Sequence, residues 1–151
     1  MSKQFEITRG SLMKFVKEVN DRTADEQLQG FNNTIRWHVG HVLSAGESFL
    51  FGFPKSSTHL PISYKEYFGG GSSPSKWTDE APTLTLLIEQ LEQQTKRIRE
   101  LSPAFFEESI PFKFPFGNLE TYGELMGFML YHEADHLGQM KAMKRIIENQ
   151  S

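Results

Sequence analysis

Two histidines in the C-terminal part of the chain, His132 and His136, stand four residues apart. On a helix that spacing sets one side chain a turn above the other. Two imidazoles so placed can close on one metal ion. The apolar residues around them, Leu125, Phe128, Met129, Met140, Met143, Ile146 and Ile147, recur in steps of three and four and define one helical face. Both histidines fall inside that stripe. A buried polar nitrogen left unpaired costs roughly 1–3 kcal/mol, so the pair needs a joint explanation. A metal supplies one; two hydrogen-bonded core histidines are the plainer alternative. The run His132, Glu133, Ala134, Asp135, His136 also fits the His-Glu-x-x-His pattern, in which the glutamate is the general base. Glu133 is therefore the candidate catalytic residue, with a solvated flank position as its alternative. The further Gly-x-x-His ligand of extended zinc proteases does not follow His136, so a protease is a poor fit.

Two imidazoles make an incomplete site, since open zinc-type sites commonly use three protein ligands. Cysteine is absent from the chain, so a third ligand must be histidine or oxygen. His38, His41 and His59 remain. On a helical wheel His38 lies nearer the apolar stripe of its segment, while His41 projects with Trp37 and Ala45 toward one flank. A flank can face a neighbouring helix, so the wheel leaves both open. His59 sits in a polar loop and reads as solvated.

These residues need elements to hold them. Phe5, Leu12, Phe15, Val16 and Val19 place a first amphipathic helix over 5–20, and residues 21–26 read as a connection. Asn33 or Thr34, both good N-caps, opens a second helix running through Leu50, with Gly52 and Pro54 as its stop. Residues 54–82, with their Gly-Gly-Gly-Ser-Ser run, read as a long irregular crossover pinned by Tyr64, Tyr67, Phe68 and Trp77. Pro82 starts a third helix whose stripe is Leu84, Leu87, Ile88, Leu91, Ile98 and Leu101. The alternating phenylalanines and prolines of 103–119 suggest an extended segment. Thr121 and Glu124 form a capping box that opens a last helix over 121–149, roughly 40 Å long. Four helices with long second and third connections predict an all-α four-helix bundle with a long crossover loop, in one domain spanning 1–151.

Composition narrows the function. The chain has 151 residues, 38% hydrophobic and 23% charged, which suits a globular domain. A net charge of −3 with no long basic run argues against nucleic acid and anionic membrane surfaces as partners. There is no apolar run near the roughly 18 residues a spanning helix needs. The first residues carry no apolar signal core, so a cytoplasmic location is expected.

The run Thr34, Ile35, Arg36, Trp37, His38, Val39, Gly40, His41, Val42, Leu43 and the run from Tyr131 through His132, His136, Gly138 and Gln139 to Met140 resemble the DinB-like, or YfiT-like, four-helix-bundle metalloproteins. Leu60, Pro61, Tyr67, Phe68, Gly69, Pro74 and Trp77 look like one branch of that family. The resemblance covers most of the chain. It implies a divalent metal held by three histidines, one from the second helix and two from the last, which map to His41, His132 and His136 here. His38 falls where the motif needs no histidine and stays in reserve. The resemblance also implies transfer of a low-molecular-weight thiol, bacillithiol or a similar one, to an electrophile. Metal-dependent hydrolysis and a non-catalytic metal-containing stress-response protein are its alternatives, and a homodimer is implied. Three neutral imidazoles suit Zn, Ni, Fe or Cu; for the family, Zn or Ni comes before Fe or Mn. A small-molecule substrate is expected over the open position, walled by the crossover and by the phenylalanines of 111–117.

Overall fold

Three threonines start three long helices in the same way. In a computed structural model, which describes residues 2–53 and 55–150, Thr34 Oγ1 accepts from the Trp37 amide at 3.2 Å, Thr83 Oγ1 from Leu86 at 3.2 Å, and Thr121 Oγ1 from Glu124 at 3.2 Å. Each satisfies an amide that the first helical turn leaves without a partner. At Thr121 the box is complete, because Glu124 Oε2 accepts in return from the Thr121 amide. The helices are α1 (Lys3–Lys17), α2 (Asp21–Ala24), α3 (Ile35–Phe51), α4 (Tyr64–Phe68), α5 (Leu84–Arg99), α6 (Pro103–Glu107) and α7 (Tyr122–Glu148). Among the described residues there is no β-strand, only an isolated bridge between Ser109 and Thr121. The chain is an all-α helical bundle. Among the described residues no helix is long and apolar enough to cross a membrane.

The four long helices α1, α3, α5 and α7 carry the bundle, and α7 packs on both α1 and α3 while α5 packs on the same two. Cross-helix contacts give the directions. His38 meets His136 and His41 meets His132, so α3 and α7 run antiparallel. Glu6 pairs with Arg99 and Lys17 with Glu92, so α1 and α5 also run antiparallel. Gln94 reaches the carbonyl of Leu43 while Arg97 reaches Glu47, so α3 and α5 run parallel. A parallel pair needs a long return, which the crossover after α3 provides.

Each long helix puts one polar slot into its apolar stripe, and the slots meet. Arg9 lies between Phe5 and Leu12, Glu47 between Leu43 and Leu50, Gln94 and Thr95 between Leu91 and Ile98, and Glu133 between Met129 and Leu137. Arg9 Nε donates to Glu133 Oε1 at 2.8 Å, its Nη1 to Thr95 Oγ1 at 3.0 Å, and its Nη2 to Gln94 Oε1 at 3.2 Å. Gln94 Nε2 donates to Glu47 Oε2 at 2.9 Å, and Arg97 grips Glu47 with both terminal nitrogens at 2.9 and 2.8 Å. Ser57 also donates to Glu47. Burial alone would raise the Glu47 pKa, but the hydrogen bonds from Arg97, Gln94 and Ser57 outweigh it and hold the carboxyl below its usual value. This layer divides the core into two apolar clusters. One contains Leu12, Phe15, Val39, Leu43, Leu87, Leu137 and Met140, and the other Phe5, Leu50, Ile98, Leu125, Met126 and Met129.

Several boundaries differ from expectation. Pro82 lies two residues before α5, because Thr83 is the cap. Gly52 is the C-cap of α3; Pro54, expected to share that role, lies outside the described residues. The 103–119 segment is not uniformly extended. Ser102 caps a short helix that Pro103 begins, its side chain accepting from the Phe105 amide at 3.2 Å. After that helix the chain doubles back through Gly117 and Asn118, both at positive φ, and Ile110 donates to the Glu120 carbonyl at 2.9 Å. Residues 21–26 hold the single turn of α2, capped by Asn20. Of the three phenylalanines of 111–117 expected to wall the open position, Phe114 is buried, Phe112 stacks on Phe53 at 4.8 Å, and Phe116 alone is mostly exposed.

Candidate metal centre

The crossover is pinned to α3 at the point where the histidines lie. Phe68, at the end of α4, lies so close over Gly40 that any side chain there would overlap its ring. Tyr64 donates to Gln90 Oε1 at 2.7 Å, Trp37 Nε1 to Ser72 Oγ at 2.9 Å, and Trp77 Nε1 to the Tyr67 carbonyl at 3.0 Å. Glycine at 40 thus lets α4 approach, and the approach brings the Phe68 carbonyl to His41 Nδ1 at 2.7 Å. A carbonyl only accepts, so His41 Nδ1 carries the proton and His41 Nε2 keeps its lone pair.

That lone pair points at two more. His41 Nε2 lies 3.1 Å from His132 Nε2, and His136 Nε2 lies 3.1 Å from the same atom. The three residues form a group whose ligand atoms all fall within 4.8 Å of one another. A hydrogen-bonded reading of the cluster is strained. His41 Nε2 has no proton to give, so one proton on His132 Nε2 would have to serve two acceptors. A metal ion satisfies all three lone pairs. At metal–nitrogen bonds of about 2.0–2.1 Å, tetrahedral nitrogens stand roughly 3.3–3.4 Å apart, close to the observed spacing. The donor set therefore fits a divalent metal.

The imidazoles are half-buried and neutral. Burial, reinforced by repulsion from its three neighbouring histidines, pushes the His136 pKa down to about 3. Burial also takes His132 and His38 to about 4. Burial lowers His41 as well, with the hydrogen bond to Phe68 opposing it. Neutral imidazoles are the form that ligates metal. Trp37 stacks on His41 at 4.7 Å with an interplanar angle of 10°, and Phe128 lies against His132 at 6.1 Å and 22°.

The other sequence candidates fall elsewhere. His38 is buried, and its Nδ1 meets His136 Nδ1 at 2.8 Å, behind the cluster. His59 is exposed in the crossover. Glu133 is buried and its Oε1 is held by Arg9, whose Nη2 also lies 2.8 Å away. Its carboxylate is engaged on the α1 side of α7, whereas His132 and His136 face α3. The general-base role read from the His-Glu-x-x-His pattern does not follow from this placement. Nor is Glu133 the solvated flank residue that was its alternative; Arg9, which interrupts the α1 stripe at a slot that should be apolar, is the sequence signal for a buried partner. A cavity of about 380 Å³ opens between the C-terminal half of α3 and the crossover, lined by Ser44, Glu47, Phe53, Ser57 and Tyr64 among others. No histidine lines it.

No curated protein matches the chain. A family model described as the DinB superfamily matches residues 4–140, which include both helices that bring the histidines together and nearly all of the bundle. The chain belongs to the DinB superfamily.

Proposed function

We propose that the chain holds one divalent ion on His41, His132 and His136 and uses it for small-molecule chemistry, with thiol transfer ahead of hydrolysis. The observation that carries this is the convergence of three Nε2 lone pairs around a point that hydrogen bonding alone cannot satisfy. A divalent ion bound there supplies Lewis acidity, which lowers the pKa of a thiol or of water. The chain's own residues hold the imidazoles neutral and fix the tautomer of His41.

Two features support thiol transfer. Hydrolysis gains from a base at the metal, and Glu133 Oε1 is instead held by Arg9 on the α1 side of α7. A thiol, with a free pKa of about 8.5 against about 15.7 for water, ionises on the metal with less help from a base. The second feature is apolar. Phe128 links His132 to Phe116, at 5.8 Å, and to Tyr131, at 6.1 Å, both largely exposed. This wall suits an apolar electrophile better than a charged one.

The test is consumption of a low-molecular-weight thiol by Zn- or Ni-loaded protein in the presence of an apolar electrophile. Adding the thiol alone to a Co- or Ni-substituted sample should change its visible spectrum. A spectrum unmoved by thiol, with turnover of an ester or amide instead, would favour hydrolysis.

A further inference from the structure

His38 is absorbed by neither the metal cluster nor the polar layer, yet it is buried and touches a proposed ligand. We propose that His38 is a positioning residue that holds His136 in the tautomer able to ligate. The inference rests on the metal reading above. Two Nδ1 atoms 2.8 Å apart can share only one proton. If His38 donated it, neutral His136 would carry its own proton on Nε2, aimed at His132 3.1 Å away, and the lone pair the cluster needs would be gone. If His136 donates, its Nε2 is free and His38 Nδ1 is the acceptor. Metal binding requires the second arrangement, and His38 as acceptor holds it before the metal arrives.

The surroundings fit this role. The His38 ring stands edge-on to Trp37 at 5.3 Å and tilted against His136 at 5.0 Å, so its orientation is set from two sides. Its position in α3, three residues before His41, places it beside the ligand and not among the three converging nitrogens. His41 receives the equivalent service from the Phe68 carbonyl. Two of the three imidazoles thus have their outer nitrogen fixed, one by backbone and one by a second imidazole. An outer partner of this kind orients a ligand and raises its basicity.

The structural alternative is that His38 merely fills the core. Two variants separate these roles. His38→Asn keeps an acceptor near the Nδ1 position; His38→Leu keeps apolar volume and removes the acceptor. Chelator-competition measurements with Zn ions, on samples whose folding is checked by circular dichroism, should show a loss of about 10–100-fold for Leu. The Asn variant should recover most of that loss. Nitrogen NMR of the metal-stripped native protein should also show His136 protonated at Nδ1, a readout that needs no variant to fold. Equal affinity in the native and Leu proteins, or His136 protonated at Nε2, overturns the inference while leaving the metal site intact. Native protein that takes up no Zn overturns both.

Discussion

At the scale of single residues, the centre depends on which nitrogen of each imidazole carries the proton. His41 is set by a backbone carbonyl from 27 residues away in sequence, the Phe68 oxygen. Replacing His41, His132 or His136 by Ala should each lower Zn affinity by more than the roughly 100-fold seen when outer partners are removed. Equilibrium competition with a chromophoric chelator reads this directly. The low pKa values add a pH dependence to the metal-free fold. Unfolded histidine titrates near 6.5, whereas His136 and His132 titrate in the folded chain at about 3 and about 4. Below pH 6.5 the unfolded state therefore binds protons first, and stability falls as pH falls toward 4. Chelated protein should melt at a lower temperature at pH 5 than at pH 7, a window above the usual carboxylate range. A flat melting temperature over that window would mean that the histidines are solvated and ordinary.

At the scale of elements, Gly40 is the pivotal position, because it lets α4 lie against α3. Gly40→Ala should displace Phe68, withdraw its carbonyl from His41, and weaken both stability and Zn binding, where Ala in a helix otherwise stabilises by up to about 1 kcal/mol. A thermal melt and the same Zn competition measure the two effects. Thr121→Ala should cost about 1 kcal/mol through the lost cap, with no change in Zn affinity. Much of this level was legible beforehand. The apolar steps around His132 and His136, the caps at Thr34 and Thr121, and the four long helices all follow from local pattern. What local pattern does not contain is which flank of α3 faces α7. On the wheel His38 lies nearer the stripe, and it is the more buried of the two, although the stripe does not say which flank faces α7. His41 reaches the cluster from the flank, by packing that depends on Gly40 and the crossover. Helix α6 was missed because alternating phenylalanines outweighed the Ser-Pro start at Ser102 and Pro103.

At the scale of the whole molecule, the polar layer joins all four long helices at one level and sets their register. Arg9 is the residue it turns on, with Glu133, Gln94 and Thr95 all bonded to it. Arg9→Met should destabilise the fold by about 3–5 kcal/mol, because it leaves Glu133 buried and unpaired. Adding Glu133→Leu should restore part of that loss, since an apolar pair replaces a buried charge pair. Urea unfolding of the two variants makes the comparison, and a double variant no more stable than Arg9→Met would contradict the expected recovery. Because this layer and the two apolar clusters hold the bundle without a metal, stripped protein should keep its helical circular dichroism. His41, His132 and His136 are expected to bind one divalent ion together. Zn calorimetry of chelator-stripped protein tests it most directly. One equivalent bound at micromolar affinity or better, and lost in both His41→Ala and His132→Ala, is the expected result. No saturable uptake, or uptake unchanged by those two substitutions, would contradict it.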